Sequence, residues 1–152
     1  MKPGQNLGAV LSICAIMIGT CSACTAASGA PAELPEFDSL QTAFEAVDKN
    51  IGCLDGVDGG TSVYDGVGLL NTESTKCTET VEVFYVEAAG DREHVVATLS
   101  AAAEGDGSMQ FVEGKNWFVV DYSEVAAGGS PDGSRDLAGL AEKLGAEFNE
   151  VE

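Results

Sequence analysis

Positive charge is scarce in this chain: seven lysines and arginines stand against 25 aspartates and glutamates, a formal net charge of −18 over 152 residues. Such a surface repels phosphates and anionic headgroups, and no basic stripe exists for a nucleic-acid backbone to follow. Nucleic acid is therefore excluded as a partner. Histidine occurs once, at His94. One imidazole cannot build the multi-histidine zinc sites of hydrolases, and no His-Glu-x-x-His run is present. His94 reads as a solvent-facing helix residue. A membrane-crossing run is missing as well, because the apolar stretch from Leu7 to Ile18 is about 12 residues where a spanning helix needs about 20. No internal repeat is visible.

What is present begins with that short apolar stretch. Lys2 and the terminal amine precede it, and the small residues Gly19, Thr20, Ser22 and Ala23 follow it. This is the layout of a signal peptide over residues 1–23. The sequence "CSAC" at its end resembles the leader of bacterial lipoproteins, in which two small residues precede a cysteine that receives a diacylglyceryl group. Ser22 and Ala23 are those small residues and Cys24 is the acceptor that the resemblance implies. Cys21 departs from the pattern, since leucine is usual there. It is the poorer acceptor, because Thr20 would stand immediately before the cut.

Cysteine arithmetic supplies a separate argument. Of five cysteines, cleavage before Cys24 removes Cys14 and Cys21 and leaves Cys24, Cys53 and Cys77. An exported chain with an odd count needs one special thiol. With lipid on Cys24, Cys53 and Cys77 form the natural disulfide, whose loop suggests about 3 kcal/mol of stabilisation. A redox or metal site at Cys21 and Cys24 is the rival, but no strand, helix or further ligand surrounds them. Ordinary export without lipid stays open. The two routes differ in location, because acyl chains contribute about 0.8 kcal/mol per buried methylene to membrane attachment.

Residues 24–36 contain "TAASGAPAELP", small and prolyl, a flexible tether with a span on the order of 18 Å. The folded domain is expected over residues 37–152. Asp38 is placed to cap a helix, with Gln41 reaching back, and Leu40, Ala43, Phe44, Val47 and Ile51 share one helical face up to Gly52. Between Cys53 and Cys77 the chain is rich in Gly, Asp, Ser and Thr, with at most one hairpin at Asp65 and Gly66. "TVEVFYV" (80–86) is the strongest strand. Asp91 is expected to cap a second helix that carries Val95, Val96, Leu99 and Ala102 or Ala103 inward. Strands 109–112 and 117–122 form a hairpin, for which Gly114 supplies positive φ. Asp132 or Ser134 starts a last helix with Leu137, Leu140, Ala141 and Leu144 inward, ending near Gly145.

The strand 80–86, helix, strand 109–112 unit calls for a right-handed parallel crossover, and the hairpin adds an antiparallel strand. The expected class is α+β: a two-layer sandwich in which helices cover one face of a small mixed sheet of three to four strands. The segments "VEVFYV", "GDREHVVATL", "FVEGKNWFVVDY" and "LAEKLGAEF", in this order after a disulfide-bearing loop, look like small actinobacterial lipoproteins of unknown function. That resemblance implies membrane attachment and an extracytoplasmic domain, and it carries no catalytic residue.

No arrangement stands out as catalytic. The serines in "GDGSMQ" and "GGSPDG" lack the strand-turn-helix context of a nucleophile elbow. Asp55, Asp58 and Asp65 invite calcium, but without EF-hand ligand spacing they read as aspartyl-glycine turns. No metal and no cofactor is expected. The aromatic residues of strand 117–122 offer a different use. Alternation sends either Trp117 or the Phe118 and Tyr122 set away from the helices, which makes Trp117, Phe118 and Tyr122 the first candidates for a partner surface if they escape the core. The expected function is that of a membrane-anchored extracytoplasmic binding or accessory module, attached through lipid on Cys24 and acting on an unknown protein or envelope partner. The alternatives are a secreted, unlipidated inhibitor-like protein and, less favoured, an envelope enzyme.

Overall fold

A computed structural model of the chain describes residues 33–54, 59–64, 66–103, 107–127 and 135–152. The leader, Cys24 and most of the tether fall outside these residues, as do Asp55, Asp58, Asp65, Asp132 and Ser134. Helix α1 (Leu40–Ile51) starts one residue later than expected. Ser39 is its cap: its hydroxyl accepts from the Thr42 amide, and the Thr42 hydroxyl accepts from the Ser39 amide, a reciprocal capping box. Ala43 and Val47 are buried, and Gly52 closes the helix at φ 68°.

Five strands follow: β1 (Thr72–Lys76), β2 (Val81–Val86), β3 (Met109–Glu113), β4 (Trp117–Asp121) and β5 (Glu147–Val151). They lie in the order β1-β2-β4-β3-β5, and every neighbouring pair is antiparallel. The α+β class holds. The sheet is larger than expected and is antiparallel rather than mixed, for one reason. β2 and β3 do run in the same direction across helix α2 (Ala89–Ala103), but β4 turns back tightly from β3 and inserts between them. No parallel ladder is left.

Helices cover both faces of the sheet, correcting the expectation of one. On the first face Val81, Val83, Val112, Trp117 and Val119 meet Ala43 and Val47 of α1 and Leu137, Leu140 and Ala141 of helix α4 (Leu137–Leu144). On the second, Phe84, Val86, Phe111, Phe118 and Val120 meet Val95 and Ala103 of α2, with Val125 of the short helix α3 (Ser123–Ala127) packed alongside. A strand buried on both sides lacks polar–apolar alternation, and "WFVV" and, apart from Glu82, "VEVFYV" have that character. Helix α4 begins at Asp136, whose carboxylate accepts from the Gly139 amide at 2.8 Å, and ends at Gly145 in the left-handed conformation.

The segment before α1 is strapped to the β3–β4 turn. Asn116 pairs with both backbone groups of Phe37, the Lys115 amide donates to the Pro35 carbonyl, and the Lys115 ammonium donates to Glu36 at 2.7 Å. The bond to Glu36 raises the Lys115 amine above its ordinary value. A raised lysine stabilises the fold below its unfolded value, and that contribution of the ammonium is lost as strong alkali neutralises the amine. Gly114 does not have the expected positive φ, which among the described glycines belongs to Gly52, Gly59, Gly107 and Gly145. Its requirement is space: a Cβ there would run into the Trp117 ring and sit 2.7 Å from the Pro35 carbonyl oxygen. Beside it, Arg92 of α2 donates to the Gly114 carbonyl and pairs with Glu113, whose carboxylate also accepts from Asn149.

Candidate functional site

Trp117 and Phe118 are fully buried, so the aromatic partner surface expected at Trp117, Phe118 and Tyr122 does not exist. With helices on both faces, neither side-chain set of β4 can look outward. Trp117 donates its indole N–H to the Pro35 carbonyl at 2.9 Å and packs against Phe37, and Phe118 stacks on Phe84 with ring centroids 4.6 Å apart. Tyr122 is half-buried against the second face, and its hydroxyl donates to the Glu79 carbonyl.

Cys53 and Cys77 are joined in a disulfide across 24 positions. The chain they enclose is the Gly-, Asp-, Ser- and Thr-rich stretch in which the sequence predicts at most one hairpin, at Asp65 and Gly66. Gly59 and Gly60 run along the outer edge of β1, where the Gly59 carbonyl accepts from the Lys76 amide and a Cβ on Gly60 would collide with the Ser74 carbonyl. The chain then turns out and back as a narrow arm. Tyr64 and Leu69 pair across it, and the Leu70 amide donates to the Val63 carbonyl at 2.8 Å. Val63 and Leu70 point inward, onto the Phe84 and Phe118 side of the sheet. Their neighbours consequently point to solvent: Tyr64 is 65% exposed, Leu69 61% and Val67, at the tip, 96%.

A buried carboxylate fastens the base of this arm. Glu82 lies in β2 at 1% exposure and accepts from the Thr61 amide, the Thr61 hydroxyl at 2.7 Å and the Ser74 hydroxyl at 2.7 Å. A buried carboxylate is tolerated only where its oxygens receive such donors. Its sequence signal was an acid inside a strand that is otherwise apolar on both faces. Replacing Glu82 with alanine is expected to cost about 1–3 kcal/mol in urea unfolding, because two hydroxyls lose their acceptor. The Thr61 amide should then exchange its hydrogen roughly tenfold faster or more. Unchanged exchange at Thr61 would show that the arm is held by something else.

Two clefts also lie on the described surface. One, of about 490 Å³, lies between the start of α1 and β1 and is lined by Ser39, Leu40, Gln41, Phe44, Glu73, Ser74 and Thr75. The other, of about 330 Å³, is lined by Gly107, Ser108, Glu124 and Glu152, with the Ser108 hydroxyl donating to Glu124 at 2.6 Å. His94 lies exposed on α2, away from both linings. Among the described residues no group of three or more His, Cys, Asp or Glu side chains is placed to hold a metal ion, and no helix is long and apolar enough to cross a membrane.

The fold and the arm together define an α+β domain with a five-stranded antiparallel sheet that presents a disulfide-closed, apolar-tipped hairpin. Comparison of the chain with protein-family models, curated proteins and solved structures gives no match.

Proposed function

We propose that this protein is a binding or accessory module on the extracytoplasmic face of the cell membrane, anchored by acyl chains on Cys24 and presenting its arm to an envelope partner. The observation that carries the binding role is the exposure of Tyr64, Val67 and Leu69 on one hairpin whose base is fixed by the Cys53–Cys77 bond and by Glu82. Three neighbouring apolar side chains held out in water, on an arm restrained so that little entropy is lost on docking, are what a recognition element requires. Anchoring is supported by the lipoprotein-like "CSAC" and by the pairing of the two later cysteines, which leaves Cys24 as the unmatched thiol of the processed chain. The likeness to small actinobacterial lipoproteins points the same way.

Detergent phase partitioning of cells expressing the full chain tests the anchor. The parent protein should enter the detergent phase and incorporate labelled fatty acid, and Cys24→Ser should move to the aqueous phase without label. An unlabelled parent in the aqueous phase would replace the anchored protein with a secreted one.

A further inference from the structure

We infer that the outer edge of β5 receives an extended polypeptide strand that carries lysine or arginine opposite Glu147 and Glu150 and an apolar side chain opposite Phe148. The two edges of the sheet differ. At β1 the Gly59 carbonyl accepts from the Lys76 amide and Gly60 lies against the Ser74 carbonyl, so the chain itself covers that edge. β5 pairs with β3 on its inner side, and among the described residues no segment is hydrogen-bonded to its outer side. Its outward N–H and C=O groups are a template for one more strand. This edge lies across the sheet from the base of the arm, so a strand added there leaves the arm free.

The side chains select the kind of strand. Glu147, Phe148, Asn149 and Glu150 are all exposed, Phe148 by 37%. Alternation places Glu147 on the α2 side of the sheet with its cross-strand partner Glu113, and Phe148 and Glu150 on the α4 side with Val112 and Gln110. Glu147 therefore stands directly opposite another carboxylate, and Arg92 and Asn149 are both engaged by Glu113. Like charges in that position are unfavourable. No ion pair among the described residues engages Glu147 or Glu150. A cation on the next strand would compensate, on each face, a carboxylate that the sheet leaves uncompensated, while an apolar neighbour would cover the open side of Phe148.

Other occupants fail on the same features. A second copy brings another β5 with the same glutamates, from a chain of formal net charge −18. An anionic lipid surface is repelled by those glutamates and offers no ladder of alternating donors and acceptors. Glutamates on an edge strand keep like-charged chains away, and they attract a strand of opposite sign.

The test uses the isotope-labelled full chain carrying Cys24→Ser, which keeps acylation out of the outcome, and the peptide Lys-Val-Lys-Thr-Val-Lys. Running antiparallel to β5, its residues fall opposite Glu152 back to Glu147. The control is the same peptide N-methylated at every inner residue, which keeps charge and side chains and removes the backbone donors. With the first peptide at saturation, outward amides within residues 147–151 should exchange their hydrogens about tenfold or more slowly. The N-methylated peptide should bind about tenfold or more weakly. Glu147→Gln/Glu150→Gln should weaken binding of the first peptide about threefold or more, with an unfolding midpoint no lower than the parent's. Absence of binding at millimolar peptide, equal affinity for the N-methylated control, undiminished affinity in the glutamine variant, or slowed exchange at the arm in place of β5 would each overturn the inference. So would dimerisation that slows the same β5 amides, since the edge would then take a second copy.

Discussion

Trp117→Ala is expected to lower the unfolding free energy by about 3–5 kcal/mol, the usual range for removing a large aromatic from a closed core. Trp117 has no exposed surface and lies among Ala43, Val47, Leu137 and Leu140, with Phe37 across its ring. The truncation also leaves the Pro35 carbonyl without its indole donor, and so loosens the strap that joins residues 35–37 to the β3–β4 turn. Small domains have about 5–15 kcal/mol in total, so the variant should be close to the limit of folding at ordinary temperature. Urea titration at low temperature measures the loss. A loss under about 1 kcal/mol would contradict the placement of Trp117 in the core.

Replacing both cysteines, as Cys53→Ala/Cys77→Ala, should cost about 3 kcal/mol through the restored freedom of the unfolded loop. For a domain of this size the melting temperature should fall by roughly 10–15 °C. Treatment of the parent with a dithiol reductant should give the same shift, which separates the cross-link from the packing of the buried Cys77 side chain. The bond closes a stretch that contains the whole arm, from the Leu54 amide, which donates to the Cys77 carbonyl, to β1. Its removal therefore has a second readout. The Thr61 amide should exchange its hydrogen faster even where the domain stays folded, because without the cross-link the arm is held by hydrogen bonds and by the packing of Val63 and Leu70 alone and opens more often. Equal stability in the presence and absence of reductant would mean that the cross-link adds nothing to the fold.

Much of the scaffold was legible because its signals are local. The apolar spacing of Ala43 and Val47 and of Leu137, Leu140 and Ala141 marks helix faces wherever they dock, and Gly52 and Gly145 end those helices through φ values that other residues avoid. The runs 81–86 and 117–121 are strand-forming in any context. The cap of α1 moved from Asp38 to Ser39 because adjacent polar residues can both cap, and the reciprocal bond with Thr42 decides between them.

The edge strands were illegible for the opposite reason. β1 reads "TESTK" and β5 reads "EFNEV", and their burial patterns are mostly half-buried or exposed. Edge strands are polar because one side meets water and must not pair indiscriminately with other chains, so they lack the apolar alternation by which strands are recognised. β5 follows the predicted helix end near Gly145 with no apolar alternation to mark it. α3 is a single short turn of helix, below the length at which periodicity shows. Glu82 is a related case, since in sequence an acid in a strand suggests solvent and here it has none.

The amino-acid sequence by itself determined the α+β class, three of the helices, the central strands and the pairing of Cys53 with Cys77, because apolar spacing, turn residues and cysteine count act at short range or by elimination. Tertiary structure alone decided that β4 lies between β2 and β3, that helices close both faces and bury Trp117 and Phe118, and that the outward side of the arm is apolar. Those outcomes depend on which surfaces meet. A side chain's exposure belongs to what is packed against it, and residues far apart in the chain set that packing.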